Sequence, residues 1–273
     1  MNAQGGLLRS GGPRTLGSPH PRLRFGEEPR SDAVGRRLLY VDERPAFELS
    51  WWCGTCPFLF QRLDTATETV SLPDLEPRLS AGLDELDDGI VTTFGGLLPE
   101  GGYLPLLLTI APQLVAPVRE GDYFAGEQVA TWGVSAFWGL PQYPATPYYR
   151  TFETPVDASA HLYEFVVPMV PPSWNDRDVV ARHAAVLASS DRPTAVAVST
   201  LDVCAPAVDQ GPDWYTHWCL THFLLDGHHK LQAAAETGRP LRLLSLLSVD
   251  GGLASPDQLG RLERLRGAPR AAR

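Results

Sequence analysis

The run Thr194 to Val203 (TAVAVSTLDV) restricts the fold more than any other part of the chain. It is β-branched and apolar at odd and even positions alike, so a strand built from it has no face to turn to water. It predicts a central strand covered from both sides. The flanking segments supply the covers. Leu162 to Val170 reads as an apolar strand closed by Pro171-Pro172, and Asn175 or Asp176 can cap a helix running to about Ser190. Val179, Val180, His183, Ala184 and Leu187 give that helix one apolar face, and Asp191-Arg192-Pro193 ends it. Tyr215 to Leu225 is a further strand. Gly227 to Thr237 is a helix stopped by Gly238 with Pro240 beyond, and Leu241 to Val249 is the last strand. The order is strand, helix, strand, strand, helix, strand.

The preceding part divides by charge. The chain has 273 residues and a formal charge of −9. The first forty residues hold seven Arg against Glu27, Glu28 and Asp32, a net +4. Residues 1–36, rich in Gly, Pro, Ser and Arg without apolar periodicity, are expected to be a disordered basic arm. Residues 37–160 are expected to form an acidic, β-rich domain; from 41 to 160, seventeen Asp and Glu face five Arg. Leu38 to Val41 and Ala46 to Trp52 read as strands joined by a hairpin turn at Asp42-Glu43-Arg44-Pro45. Leu75 to Leu86 reads as a short helix ending near Gly89, and Trp132 to Leu140 as a strand. Residues 255–273 read as a basic tail carrying Arg261, Arg264, Arg266, Arg270 and Arg273. The fold class expected is α+β: a β-rich N-terminal domain, then an α/β module over 161–254.

Several functions are disfavoured by this composition. An acidic chain repels polyanions, so nucleic acid is not expected as a partner. The longest uncharged apolar stretch, Tyr103 to Val118, is broken by Pro105, Pro112 and Pro117 and is too short to span a bilayer. With no secretory signal legible and four Cys in all, the expectation is a cytoplasmic protein with reduced thiols.

The segment richest in chemistry is Asp226-Gly227-His228-His229-Lys230. A buried strand turns into a helix there, and Gly227 lets the backbone turn sharply and lets a ligand come close. The first amides of a helix lack intrahelical partners and favour an anion. His228, His229 and Lys230 add up to three donors in the same turn, and Lys230 is the only lysine of the chain. His217, His222, His228 and His229 are four of the seven histidines. A phosphate is the natural guest. The competing reading is an ordinary turn with Asp226 as N-cap and the His pair in solvent.

This turn resembles that of the ParB/sulfiredoxin superfamily, which places Gly-[His/Glu/Cys]-[His/Arg]-[Arg/Lys] between a strand and a helix. The resemblance covers residues 161 to 250, and the "DGHH" form is most similar to the free-serine-kinase members. It implies nucleotide phosphates at Gly227, His228, His229 and Lys230, with ATP, ADP or CTP and Mg²⁺ as cofactors. It also implies a kinase-like transfer to a small hydroxyl-bearing molecule or peptide, with Asp226, His228 and His229 as candidate catalytic residues. His228 stands where sulfiredoxin needs Cys, so that activity is not expected. Only about twenty residues follow the module, so DNA partitioning is not expected either. Glu164 and Asp202 are further carboxylates at strand ends.

A second motif is Cys53-Gly54-Thr55-Cys56. A C-x-x-C turn can supply two thiolates to a structural Zn²⁺, with Cys204, Cys219, His217 or His222 as the remaining ligands. It can also be a thiol redox pair or simply buried thiols. Three functions stay open: the phosphotransferase, a non-catalytic nucleotide-sensing or protein-interaction module with zinc at CGTC, and a redox protein.

Overall fold

The computed structural model describes residues 5–28, 35–50, 54–70, 72–134, 147–189, 192–208 and 214–267. The run singled out above becomes the strand Thr194–Cys204 at the centre of a nine-stranded mixed sheet. In chain order the strands of the described residues are β1 (Gly6–Ser10), β2 (Arg14–Leu16), β3 (Leu23–Glu28), β4 (Arg36–Val41), β5 (Arg44–Leu49) and β6 (Phe60–Arg62). After them come β7 (Gly101–Ile110), β8 (Gln113–Val115), β9 (Tyr148–Asp157), β10 (Ala160–Pro168), β11 (Thr194–Cys204), β12 (Thr216–Asp226) and β13 (Leu241–Ser248). The helices are α1 (Glu76–Ala81), α2 (Asp88–Gly95), α3 (Glu127–Trp132), α4 (Arg177–Ala188), α5 (His228–Thr237) and α6 (Pro256–Gly267).

The large sheet runs β1-β7-β13-β11-β12-β10-β9-β8, with β2 also on β7; β3-β4-β5-β6 form a separate antiparallel sheet. β11 is parallel to β13 and β12 is parallel to β10, while β11 and β12 are antiparallel. The period of two sorts β11 between two cores. Val196 and Val198 join Phe47, Phe60, Phe165 and Phe223 on the side of the small sheet. Ala195 and Ala197 join Val180, Leu231 and Leu262 on the side of α4, α5 and α6. Small residues on the helical side let α5 lie close to the strand.

Mixed α+β architecture is as expected, and the strand-helix order after 160 is recovered, but three expectations about the layout are corrected. Residues 1–36 were read as disordered; Gly6–Ser10 and Arg14–Leu16 instead pair with β7, and Leu23–Glu28 pairs with β4. Open sheet edges supply the partners that local composition hides. Charge also helps: Arg14 pairs with Asp88 at 2.7 Å, Arg22 with Asp42 at 2.6 Å, and Arg9 with Glu85, so the basic arm lies on the acidic middle of the chain. Next, residue 160 is no boundary, because β9 and β10 form a hairpin across it and β7, β8 and β9 belong to the same sheet as β10 to β13. Lastly, the 255–273 tail contains α6, whose Leu259 and Leu262 are buried and whose Arg266 is 1% exposed.

Local signals fare better. Asp42 and Glu43 have φ of 47° and 62°, which makes the two-residue β4–β5 hairpin. Asp176 caps α4 through its side chain. The Leu75–Leu86 helix is shorter than expected: α1 stops at Gly82, and Gly89 lies inside α2. Trp132 ends α3, and 135–140 lie outside the described residues. No helix among the described residues is long and apolar enough to cross a membrane.

Glu164 and Asp202 are tied into this framework. Asp202 pairs with buried Arg37 at 2.8 Å and accepts from the Leu253 amide. Glu164 is fully buried, 2.8 Å from Arg266 Nε, and accepts from Thr151 Oγ1. Burial would push its pKa up, but Arg266, His222 and Thr151 together bring it down to about 2. A depressed carboxylate pKa stabilises the fold above the unfolded value, and that part is lost as pH falls through the folded one. Replacing Arg266 by Ala strands a buried charge, at a cost of about 3–5 kcal/mol. In urea titrations the gap in stability between wild type and Arg266→Ala should therefore be widest near neutral pH. It should narrow between about pH 4.5 and about pH 2; a pH-independent gap contradicts the pairing.

Candidate functional site

At the C-terminal end of β12 the chain must reverse from strand into α5, and Gly227 makes the turn. Its φ is +96°, a left-handed conformation that costs a residue with a Cβ about 1–2 kcal/mol. A Cβ there would stand 2.7 Å from Ala195 Cβ and 3.0 Å from Ala195 Cα. Gly227 therefore both turns the chain and lets α5 press against β11. It is the N-cap residue and offers no side chain to the helix; Asp226 is not the cap. The first backbone bond of α5 runs from the Leu231 amide to the Gly227 carbonyl. The Asp226 carboxylate accepts from the Gly227 amide, and the amides of the first turn have no acceptor within the helix itself.

That helix end opens into a cavity of about 610 Å³, within the range of small-ligand sites. All five residues of the Asp226–Lys230 turn line it, and so does Glu76 from α1. The other wall comes from Val170, Trp174, Asn175, Val179 and His183, with Thr67, Thr69, Leu72 and Pro73 closing the side nearest α1. The structure thus brings together every residue expected around the phosphate. It assigns several of them different roles from those expected.

His228 is buried, and its Nε2 accepts from the Met169 amide at 3.0 Å. Burial, with neighbouring His229, lowers its pKa to about 3. The ring is neutral and its proton resides on Nδ1, so it supplies one uncharged donor. His229 Nε2 accepts from the Asp176 amide at 3.1 Å, and burial lowers its pKa too. Expected as donors to an anion, the two imidazoles use one nitrogen each to fasten the 169–176 segment to α5. Asn175 completes the fastening through Nδ2, to Gln232 Oε1 at 2.8 Å and to the His228 carbonyl at 3.3 Å.

Lys230 is 2% exposed. Its ammonium donates to Glu76 Oε2 at 3.0 Å and approaches the Thr194 carbonyl at 3.5 Å. Burial opposes ionisation of Glu76, but hydrogen bonds from Ser80 and Lys230 outweigh it and lower the carboxyl pKa. Asp226 is affected oppositely: burial raises its pKa, only partly offset by Lys230. Two carboxylates in different protonation environments thus share one cavity with one ammonium.

Sequence reasoning missed Glu76, Trp174 and His183 as members of the site. His183 was read as part of the apolar face of α4. Glu76 lies 154 positions before Lys230, and only the packing of α1 beside β11 brings it there.

The other candidate residues lie elsewhere. His217 is buried in the sheet, between Tyr123 Oη at 2.7 Å and Thr131 Oγ1 at 2.8 Å. His222 is within 2.6 Å of Ser199 Oγ. Cys204 and Cys219 are buried thiols whose pKa burial raises, which works against metal-binding thiolates. Cys53 lies outside the described residues; Cys56 is disulfide-bonded, and in that state it has no thiolate to offer zinc. No group of three or more metal-ligating side chains of the His, Cys, Asp and Glu type occurs among the described residues.

Compared with family models, curated proteins and solved structures, the chain matches none.

Two outcomes follow from the geometry of the site. In ¹⁵N-resolved NMR, His228 should stay neutral with its proton on Nδ1 from pH 8 to pH 5; titration near pH 6.5 contradicts its burial. Gly227→Ala should lose at least about 1 kcal/mol in urea unfolding, from its left-handed φ alone. A neutral result would mean that the turn is not the one described.

Proposed function

We propose that the chain is a nucleotide-dependent phosphotransferase that acts on a small hydroxyl-bearing molecule or a peptide. One observation carries the reading: the uncapped amide end of α5 opens into a cavity that also holds Asp226, Glu76 and Lys230. The amide end and Lys230 would hold the phosphates. The similarity of the DGHHK turn to kinase-like ParB/sulfiredoxin members supports the same placement. ATP, ADP and CTP are the candidate nucleotides.

The charge of the site bears on the cofactor. Glu76 and Asp226 oppose one lysine, and His228 and His229 are neutral, so a bare triphosphate meets a net negative wall. Mg²⁺ carried in on the phosphates would offset that wall, and the Glu76 carboxylate, a hard oxygen donor, would hold it there. Bound there, the ion would neutralise charge on the transferred group. Asp226, with its raised pKa, is the better placed of the two to take the proton from an acceptor hydroxyl. Glu76 is already committed to Lys230 and positions the ammonium.

That commitment favours a second reading, a nucleotide sensor without turnover. A phosphate that takes Lys230 must loosen its bond to Glu76 and with it the seat of α1. Titration calorimetry with ATP, ADP and CTP, with and without Mg²⁺, tests the premise common to both readings. Lys230→Ala should weaken binding about 10- to 100-fold, the value of a charge-assisted hydrogen bond. Asp226→Asn should keep binding and lose about 10²–10⁴-fold in turnover across a panel of hydroxyl acceptors. Binding without turnover in the wild type selects the sensor. Affinity unaffected by Lys230→Ala removes the phosphate site.

A further inference from the structure

We infer that Trp174 is the stacking surface for a planar heteroaromatic ring, which makes it a specificity-determining residue that selects nucleotides over ring-free phosphate esters. The inference rests on the phosphate reading of α5 and goes beyond it to the opposite end of the ligand.

The cavity is lined by two kinds of side chain: Asp226, Lys230 and Glu76 are charged, while Leu72, Val170 and Trp174 are apolar. A ligand complementary to both is amphiphilic, with an anionic tail and an uncharged body. Trp174 is 56% exposed, unusual for so large an apolar side chain. Its exposure does not come from a loose loop. Pro171 and Pro172 stiffen the approach, the Trp174 amide donates to the Pro171 carbonyl at 2.9 Å, and Asn175 and Asp176 are bonded to α5 as described. The ring is thus presented to the cavity by a backbone fastened to the same helix whose amide end would hold the phosphates.

Arg62, at the end of β6, places its guanidinium carbon 5.7 Å from the centre of the indole ring. That guanidinium is itself held by the Ala66 carbonyl at 2.8 Å and the Leu63 carbonyl at 3.3 Å. A cation over one face leaves the second face for another ring. Stacking a nucleobase on an aromatic side chain is sequence-tolerant, because every base has a π-face, and its loss on alanine substitution corresponds to roughly 5- to 150-fold in affinity. The polar side chains next to Trp174 are already engaged, Asn175 with Gln232 and Arg62 with the Leu63 and Ala66 carbonyls, so neither is free to read a base edge; purine and pyrimidine nucleotides should therefore both be accepted.

The test compares ATP, CTP and inorganic tripolyphosphate, each with Mg²⁺, on the full chain by titration calorimetry. Wild type should bind ATP and CTP at least about tenfold more tightly than tripolyphosphate. Trp174→Ala should erase that difference and leave tripolyphosphate affinity unchanged, while Trp174→Phe should retain most of it. Because the side chain is exposed, both variants should melt with the wild type. Equal affinity of wild type for ATP and tripolyphosphate, or a difference that survives Trp174→Ala, overturns the stacking role and leaves the phosphate site standing. If no probe binds the wild type, the phosphate site fails and the stacking role falls with it.

Discussion

The requirement that β11 and its neighbours be covered on both faces governs the rest of the molecule. A strand with buried residues on both faces, as β11 has, is stable only between two layers. The layers here are made differently: a small antiparallel sheet on one side, helices α4, α5 and α6 on the other. The helical side is lined by Ala195 and Ala197, and the close seat they provide fixes where α5 begins. Since the amide end of α5 is the wall of the cavity, the position of the candidate site follows from how the core is filled.

The cavity also illustrates how burial changes what a residue can do. In sequence, two imidazoles and a lysine in one turn look like three positive donors. In the fold, desolvation makes His228 and His229 neutral and turns each into a fastener for the segment opposite. Lys230 keeps a partner in Glu76. On the proposed reading, an anion would be held by backbone amides, by one ammonium and by any cation it brings. The turn carries less positive charge than its letters imply.

The parts of the fold legible in the sequence were those decided locally. The two-sided apolar run, the prolines after β10, the Asp176 cap, and the Gly227 and Gly238 turns each carry their own signature, and each sits where it was read. The parts that were not legible depend on partners distant in sequence. The first thirty residues have no periodicity because their strands are short and sit at the edges of sheets, where pairing is contributed by β7 and β4. Arg266 reads as one of several tail arginines, yet a buried carboxylate a hundred residues earlier draws it inward. Glu76 could not be found from a single chain for the same reason. Trp174 was visible as a residue but not as a surface, because exposure is a property of packing.

The attachment of the arginine-rich first strands to the acidic middle of the chain has a further consequence. Their ion pairs, Arg9 with Glu85 and Arg22 with Asp42, lie at half-exposed positions, where dissolved ions compete with them. Over the range from dilute buffer to about 1 M salt the screening length shrinks from about 30 Å to about 3 Å. The grip on these outer strands is thus graded by ionic strength, while the apolar layers around β11 gain when the salt is a strongly hydrated one such as sulfate. The outer strands of the two sheets and the core around β11 thus answer such a salt with opposite sign.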